Sequence, residues 1–137
     1  AFVACSPAHG CRVTAECIAR SSRSERPVEI YGGLSAVHSG DWAGLSLKEV
    51  RENFPGSLEH WHEDPDWRDH GGESLREVHD RAVTTFRELL DSFVARGCQG
   101  AIILITHGIL AHSILSDSRH EPLEKMAVSW RTRPSQQ

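Results

Sequence analysis

A chain of 137 residues has room for one domain with a substantial core. Its 39% hydrophobic and 25% charged content is ordinary for a globular protein. The net charge of −4 removes any electrostatic reason to expect nucleic acid or an anionic membrane as partner. No apolar run approaches the roughly 20 residues that span a bilayer, and the opening AFVACSPAHGC is too short and polar for a signal peptide. Cys5, Cys11, Cys17 and Cys98 form no C-x-x-C pair and read as free, mostly buried thiols. These features together predict a cytoplasmic protein.

In chain order, residues 1–5 form an apolar run ending at Ser6-Pro7, which suits a buried strand. A helix comes next over 8–20, with Ser6 as its N-cap. Residues 21–26 are a solvated loop, 28–31 a short strand broken by Gly32-Gly33, and 46–54 a short helix opened by a Ser46/Glu49 capping box. Residues 57–72, rich in Trp, His and Asp, read as irregular. The clearest element is a helix over 74–96: Leu75, Val78, Ala82, Val83, Phe86, Leu89 and Leu90 recur at helical spacing, and Gly97 ends it. Residues 101–105 form a continuous apolar strand of the buried, parallel kind. A sharp turn at Thr106-His107-Gly108 leads into an apolar helix over 109–115. Residues 126–130 suggest a last strand, and 131–137 a frayed tail, so the domain covers 1–130.

Strands alternating with helices predict an α/β protein, a mostly parallel sheet with helices on both faces. Ligands of such sheets bind beyond the carboxyl ends of the strands, where Ser6 and His107 both fall. Gly108 then opens a helix whose first N–H groups suit an anion.

Five segments, in order, resemble the histidine phosphatase (phosphoglycerate-mutase-like) superfamily. Cys5-Ser6-Pro7 with Thr14-Ala15 is similar to S-S-P-L-x-R-A-x-Q-T-A. The stretch LSAVHSGDWAG, from Leu34, is similar to L-R-E-x-x-x-G-x-W-E-G, and Ser46, Glu49 and Phe54-Pro55 resemble the family's next segment. Gly71-Gly72-Glu73-Ser74 with Arg81 is similar to G-G-E-S…R, and Ile105-Thr106-His107-Gly108 to V-S-H-G. The resemblance implies the family fold over residues 3–115.

It also implies a chemistry. In the family, the histidine of an N-terminal R-H-G motif attacks phosphorus, two arginines and a second histidine hold the phosphoryl oxygens, and a carboxylic acid protonates the leaving oxygen. The resemblance places the R-H-G strand before Ala1, outside these residues; the second arginine falls on Gly10, and the acid falls on Ala36 with Ser35 in place of its arginine. Arg12 lies two positions from Gly10, about 200° around a helix. From the central set only His107 remains.

The expected catalytic residues are therefore His107, with Glu73 as a replacement acid and His38 as an acid–base group on the pocket loop. Ser6, His107 and Gly108 are the expected anion contacts. Each has a plainer reading: Glu73 stabilising a helix N-terminus by charge, His38 merely exposed, Arg81 a structural ion-pair partner. Cys11 reads as buried, because residues i and i+2 face apart and His9 is no partner for it. The cluster His60, His62, Glu63, Asp64, Asp66, Asp69 and His70 offers zinc or manganese ligands but reads as a partly aromatic lid. No metal and no cofactor are expected.

The expected function is a degenerate family member that has lost phosphoryl transfer and binds a small phosphorylated or anionic molecule, or has a repurposed pocket. The alternative is an active phosphomonoesterase whose R-H-G strand lies outside this chain. A missing strand between those ending at Ser6 and His107 predicts direct pairing of the two, or homo-oligomerisation.

Overall fold

A computed structural model of the chain describes residues 1–126. Three parallel strands form one sheet in the order β2-β1-β3. They are β1 (Phe2–Cys5), β2 (Glu29–Ile30) and β3 (Ile102–Ile105). The helices are α1 (His9–Ser21), α2 (Leu47–Asn53), α3 (Ser57–Glu63), α4 (Leu75–Ala95) and α5 (Gly108–Ser118). The chain is thus α/β, with α1 on one face of the sheet and α4 and α5 on the other.

Side-chain alternation along β1 builds both faces at once. Val3 and Cys5 pack with Ala15 and Ala19 of α1, whereas Phe2 and Ala4 pack with Leu89 and Phe93 of α4. All four β1 residues are buried, as the apolar run predicts. The main core lies between α4 and α5, where Leu75, Val78 and Ala82 meet Ile109, Leu110 and Ile114 under Leu34 and Trp61.

β3 takes the direct pairing that is one of the two expected arrangements, and only its burial differs from expectation. It pairs directly with β1, Phe2 opposite Ile102 through Cys5 opposite Ile105, so no gap separates the strands that end at Ser6 and His107. No described residue pairs with its other edge, and all four β3 residues are only half-buried rather than enclosed.

α4 owes its ends to local chemistry. Ser74 and Glu77 form a capping box, each side chain taking the other's backbone N–H. Gly97, in the left-handed region at φ 65°, ends the helix with Gly97 N–H to Val94 C=O and Cys98 N–H to Phe93 C=O bonds. The Ser46/Glu49 box of α2 is present as predicted.

Three other expectations change. Ser6 does not cap α1: Ala8 does, without a side-chain bond, because the Ser6 hydroxyl is engaged elsewhere. Residues 57–63, read as irregular, form α3, which buries Trp61 and bonds its indole N–H to the Glu73 carbonyl. Met126 is buried in a helical turn over 123–126 rather than a strand, and 127–137 lie outside the described residues. All four cysteines are free, but only Cys5 is buried and Cys17 is exposed. Among the described residues, no helix is long and apolar enough to cross a membrane.

Candidate functional site

The parallel register places Ser6 beside the end of β3, with its N–H donating to the Ile105 carbonyl at 2.9 Å. Two residues 101 positions apart therefore meet: Ser6 Oγ lies 2.9 Å from His107 Nε2. Ser6 Oγ also accepts the Ala8 N–H at 3.2 Å. Ser6 is fully buried, His107 half-buried and Gly108 exposed, so the open side of the cluster is the imidazole and the start of α5. The first N–H groups of α5 receive no side-chain cap from His107 and face that opening.

Cys11 joins this cluster. Its sulfur is 4.0 Å from His107 Nε2 and 4.0 Å from the Thr106 carbonyl oxygen. Cys11 is half-buried rather than enclosed, and its neighbour is His107, not His9. The nearby Cys5 thiol is pushed up first by its burial and then by Cys11.

The loop after β2 is fixed by main-chain contacts. Thr106 Oγ1 donates to the Leu34 carbonyl at 2.8 Å. Arg81 Nη1 donates to the carbonyls of Gly33 (2.7 Å) and Ser35 (2.9 Å), and Nη2 reaches that of Ala36 at 3.4 Å. The same guanidinium grips Glu73 through Nε–Oε2 (3.0 Å) and Nη2–Oε1 (2.8 Å). Glu73 Oε1 also accepts the His38 N–H at 2.9 Å.

This arrangement revises the role expected of Glu73. Burial pushes its carboxyl up, but the Arg81 hydrogen bonds, the His38 N–H and the Arg81 charge together hold it below the usual glutamate range. A general acid must carry a proton at working pH; Glu73 is held ionised, with both oxygens committed. It does not cap α4 either, since Ser74 and Glu77 do that. His38 is exposed, and the structure ties its backbone, not its imidazole, into this network.

Gly10 and Ala36, where the resemblance places an arginine and an acid, are both exposed. A Cβ built on Gly10 meets nothing within 4 Å. In the segment expected to be a lid, His70 is buried, stacked on Trp67 at 5.1 Å and tilted against Trp42 at 4.4 Å. Among the described residues, no three His, Cys, Asp or Glu side chains converge as a metal site would require.

Fold and site define an α/β protein with a histidine at a strand-to-helix turn, facing the carboxyl end of a parallel neighbour. Residues 1–131 match the profile of the histidine phosphatase superfamily (branch 1), and the chain belongs to that family. It is 32% identical over 114 residues to the glucosyl-3-phosphoglycerate phosphatase of Mycolicibacterium vanbaalenii, covering 81% of this chain and 51% of that protein. The enzyme of the same name from Mycobacterium tuberculosis is 36% identical over 87 residues, 59% of this chain and 38% of that one. The chain thus spans about half or less of these relatives' length. A mycobacterial glucosyl-3-phosphoglycerate phosphatase solved with inorganic phosphate superposes with a TM-score of 0.73 at 25% identity, covering 93% of this chain and 62% of that one. Bacillus stearothermophilus YhfR superposes with a TM-score of 0.70 at 26% identity, covering 96% and 61%.

Proposed function

We propose that this chain, as it stands, keeps the histidine phosphatase scaffold without its phosphoryl-transfer chemistry and binds a small phosphorylated or anionic molecule at His107 and Gly108, with Ser6, expected as a contact but fully buried, acting behind the imidazole. The observation that carries this reading is the pairing of Gly10 and Ala36, both solvent-facing, with a Glu73 already locked to Arg81. Among the described residues, the two positions where the resemblance places an arginine and an acid therefore carry neither. Loss of each transition-state contact costs on the order of 10²-fold or more, so two such losses leave little rate.

Binding asks less than catalysis. The His107 imidazole, held by Ser6, and the uncapped N–H groups of α5 suit an anion. The test is a thermal melt with phosphate or vanadate, alongside an aryl phosphate assay. An anion at about 100 times its Kd adds roughly 2.7 kcal/mol. The expected result is a rise in Tm that His107→Ala abolishes, with no turnover. Turnover that His107→Ala abolishes would overturn the reading.

That outcome would support a second reading, favoured by the names of the relatives and by how much of their length this chain leaves uncovered. There, an R-H-G strand from outside these residues completes a phosphomonoesterase, and glucosyl-3-phosphoglycerate is the first substrate to assay.

A further inference from the structure

α1 runs from the Ser6 end of the sheet back to its opposite end. There Ser24 Oγ donates to the Ala1 carbonyl at 3.0 Å, which anchors the loop after α1 beside the start of β1. A cavity of about 510 Å³ opens at this place, with Glu16, Arg20, Arg23, Ser24, Arg26 and Val28 among its lining residues. Its size is in the range of small-molecule pockets.

Positive charge gathers in it. Arg68, Arg76, Arg81, Arg87 and Arg96 each pair with a carboxylate. Among the described residues Arg20, Arg23 and Arg26, like Arg12, Arg51 and Arg119, have no ion pair and no side-chain hydrogen bond, but these three line one cavity. Three positive groups face one carboxylate, Glu16, on a protein whose net charge is −4. Arg20 has a plain role at the negative end of the α1 dipole. That role does not extend to Arg23 and Arg26, which lie beyond the helix.

Backbone geometry fixes the position of Arg23. α1 ends as α4 does, with Arg23 N–H to Arg20 C=O and Ser24 N–H to Ala19 C=O bonds. That motif puts its pivot residue in the left-handed region and favours glycine there. α4 uses Gly97, whereas α1 uses Arg23, at φ 51°, and α5, closed by the same two bonds, uses His120, at φ 57°. The left-handed turn is thus not peculiar to this place; it fixes where the Arg23 side chain leaves the backbone beside the cavity.

We propose that this cavity is a second anion site, at the end of the sheet opposite Ser6 and His107. Its ligand is a small soluble molecule carrying two or more phosphate or carboxylate groups. The guanidinium forks hold the anionic groups, Pro27 and Val28 form an apolar wall, and Glu16 sets a like-charge limit that disfavours a bare anion.

The test is calorimetric titration of the chain with inorganic pyrophosphate. One saturable site is expected at this cavity, weakened about tenfold by Arg20→Gln or Arg26→Gln and strengthened several-fold by Glu16→Gln. His107→Ala leaves it within about twofold, which separates it from the site at His107. Arg23→Gly discriminates a binding residue from a structural one: it relieves the strained turn, so Tm rises while pyrophosphate binding falls about tenfold. No saturable binding, binding that survives an Arg20→Gln/Arg26→Gln double variant, or binding lost with His107→Ala would each overturn the proposal.

Discussion

Arg81→Met is the most informative single change in this protein. Arg81 makes two bonds to Glu73 and three to loop carbonyls, and the two side chains are only 22% and 13% exposed. Removing one partner of a buried pair strands the other charge, which costs about 3–5 kcal/mol, and three carbonyls lose a donor as well. The effect depends on pH, and its sign is set by Glu73. Its folded-state value lies below the ordinary one, so the carboxylate adds stability that is present above the unfolded value, about 4.3, and fades as pH falls through the lower folded value. In Arg81→Met burial dominates instead, the Glu73 value rises, and protonation relieves the stranded charge. The gap between wild type and variant should therefore be about 3–5 kcal/mol at pH 7 and shrink steadily towards pH 4. Urea unfolding followed by circular dichroism at several pH values measures it. A loss below about 1 kcal/mol at pH 7, or a gap independent of pH, would refute the assignment of Glu73 and Arg81 as a structural pair.

Other outcomes rest on close contacts and caps. Gly72→Ala should cost about 1–3 kcal/mol, because the new methyl runs into the His38 carbonyl and lies 2.8 Å from both Gly40 N and His70 Nε2; a thermal melt checks it. Gly10→Ala, with nothing in its way, should instead stabilise α1 by up to about 1 kcal/mol. Ser74→Ala removes a buried half of the α4 capping box and should cost about 1 kcal/mol in urea unfolding. Burial pushes the His70 imidazole down, against the Arg68 backbone and Asp41, which pull it up. Its neutral form is thus the folded one, and its share of stability, present above about pH 6.5, declines as pH falls through the lower folded value. A proton-NMR titration should show its ring resonances moving below that pH, and no displacement would remove His70 from the acid response.

Regular elements were legible because each rests on a local pattern. The apolar stripe of α4, the Ser46/Glu49 box and the apolar run of β1 need no distant partner to be recognised. The spacing of Leu58 and Trp61 after Gly56 was the missed signal for α3, hidden among histidines and acids that read as loop. The family motifs located both Ser6 and His107. Contacts across the sheet were another matter. Cys11 reaches His107 over 96 positions only through the β1–β3 register, and the engagement of Glu73, in the loop before α4, by Arg81 within it appears only once the chain is folded. The half-burial of β3 was equally hidden, since an apolar run looks the same in a central strand and at an edge.

Arg81 also holds the loop independently of the side chains to which the resemblance assigns chemistry. Its guanidinium holds the loop through the carbonyls of Gly33, Ser35 and Ala36, groups that every residue type supplies. Thr106 does the same through the carbonyl of Leu34. The exposed side chain of Ala36 therefore carries little of the loop's stability, whereas Ser35 Oγ donates to the Gly32 carbonyl at 2.6 Å and helps to hold the turn. Gly10 is the parallel case on α1, exposed and with space around it. Backbone carbonyls and the Glu73–Arg81 pair hold the loop, while Ala36 and Gly10 face solvent. His107 is the exception, since Ser6, Cys11 and the start of α5 all converge on it. Its imidazole is thus the point at which a change in this fold alters both packing and the proposed anion contact.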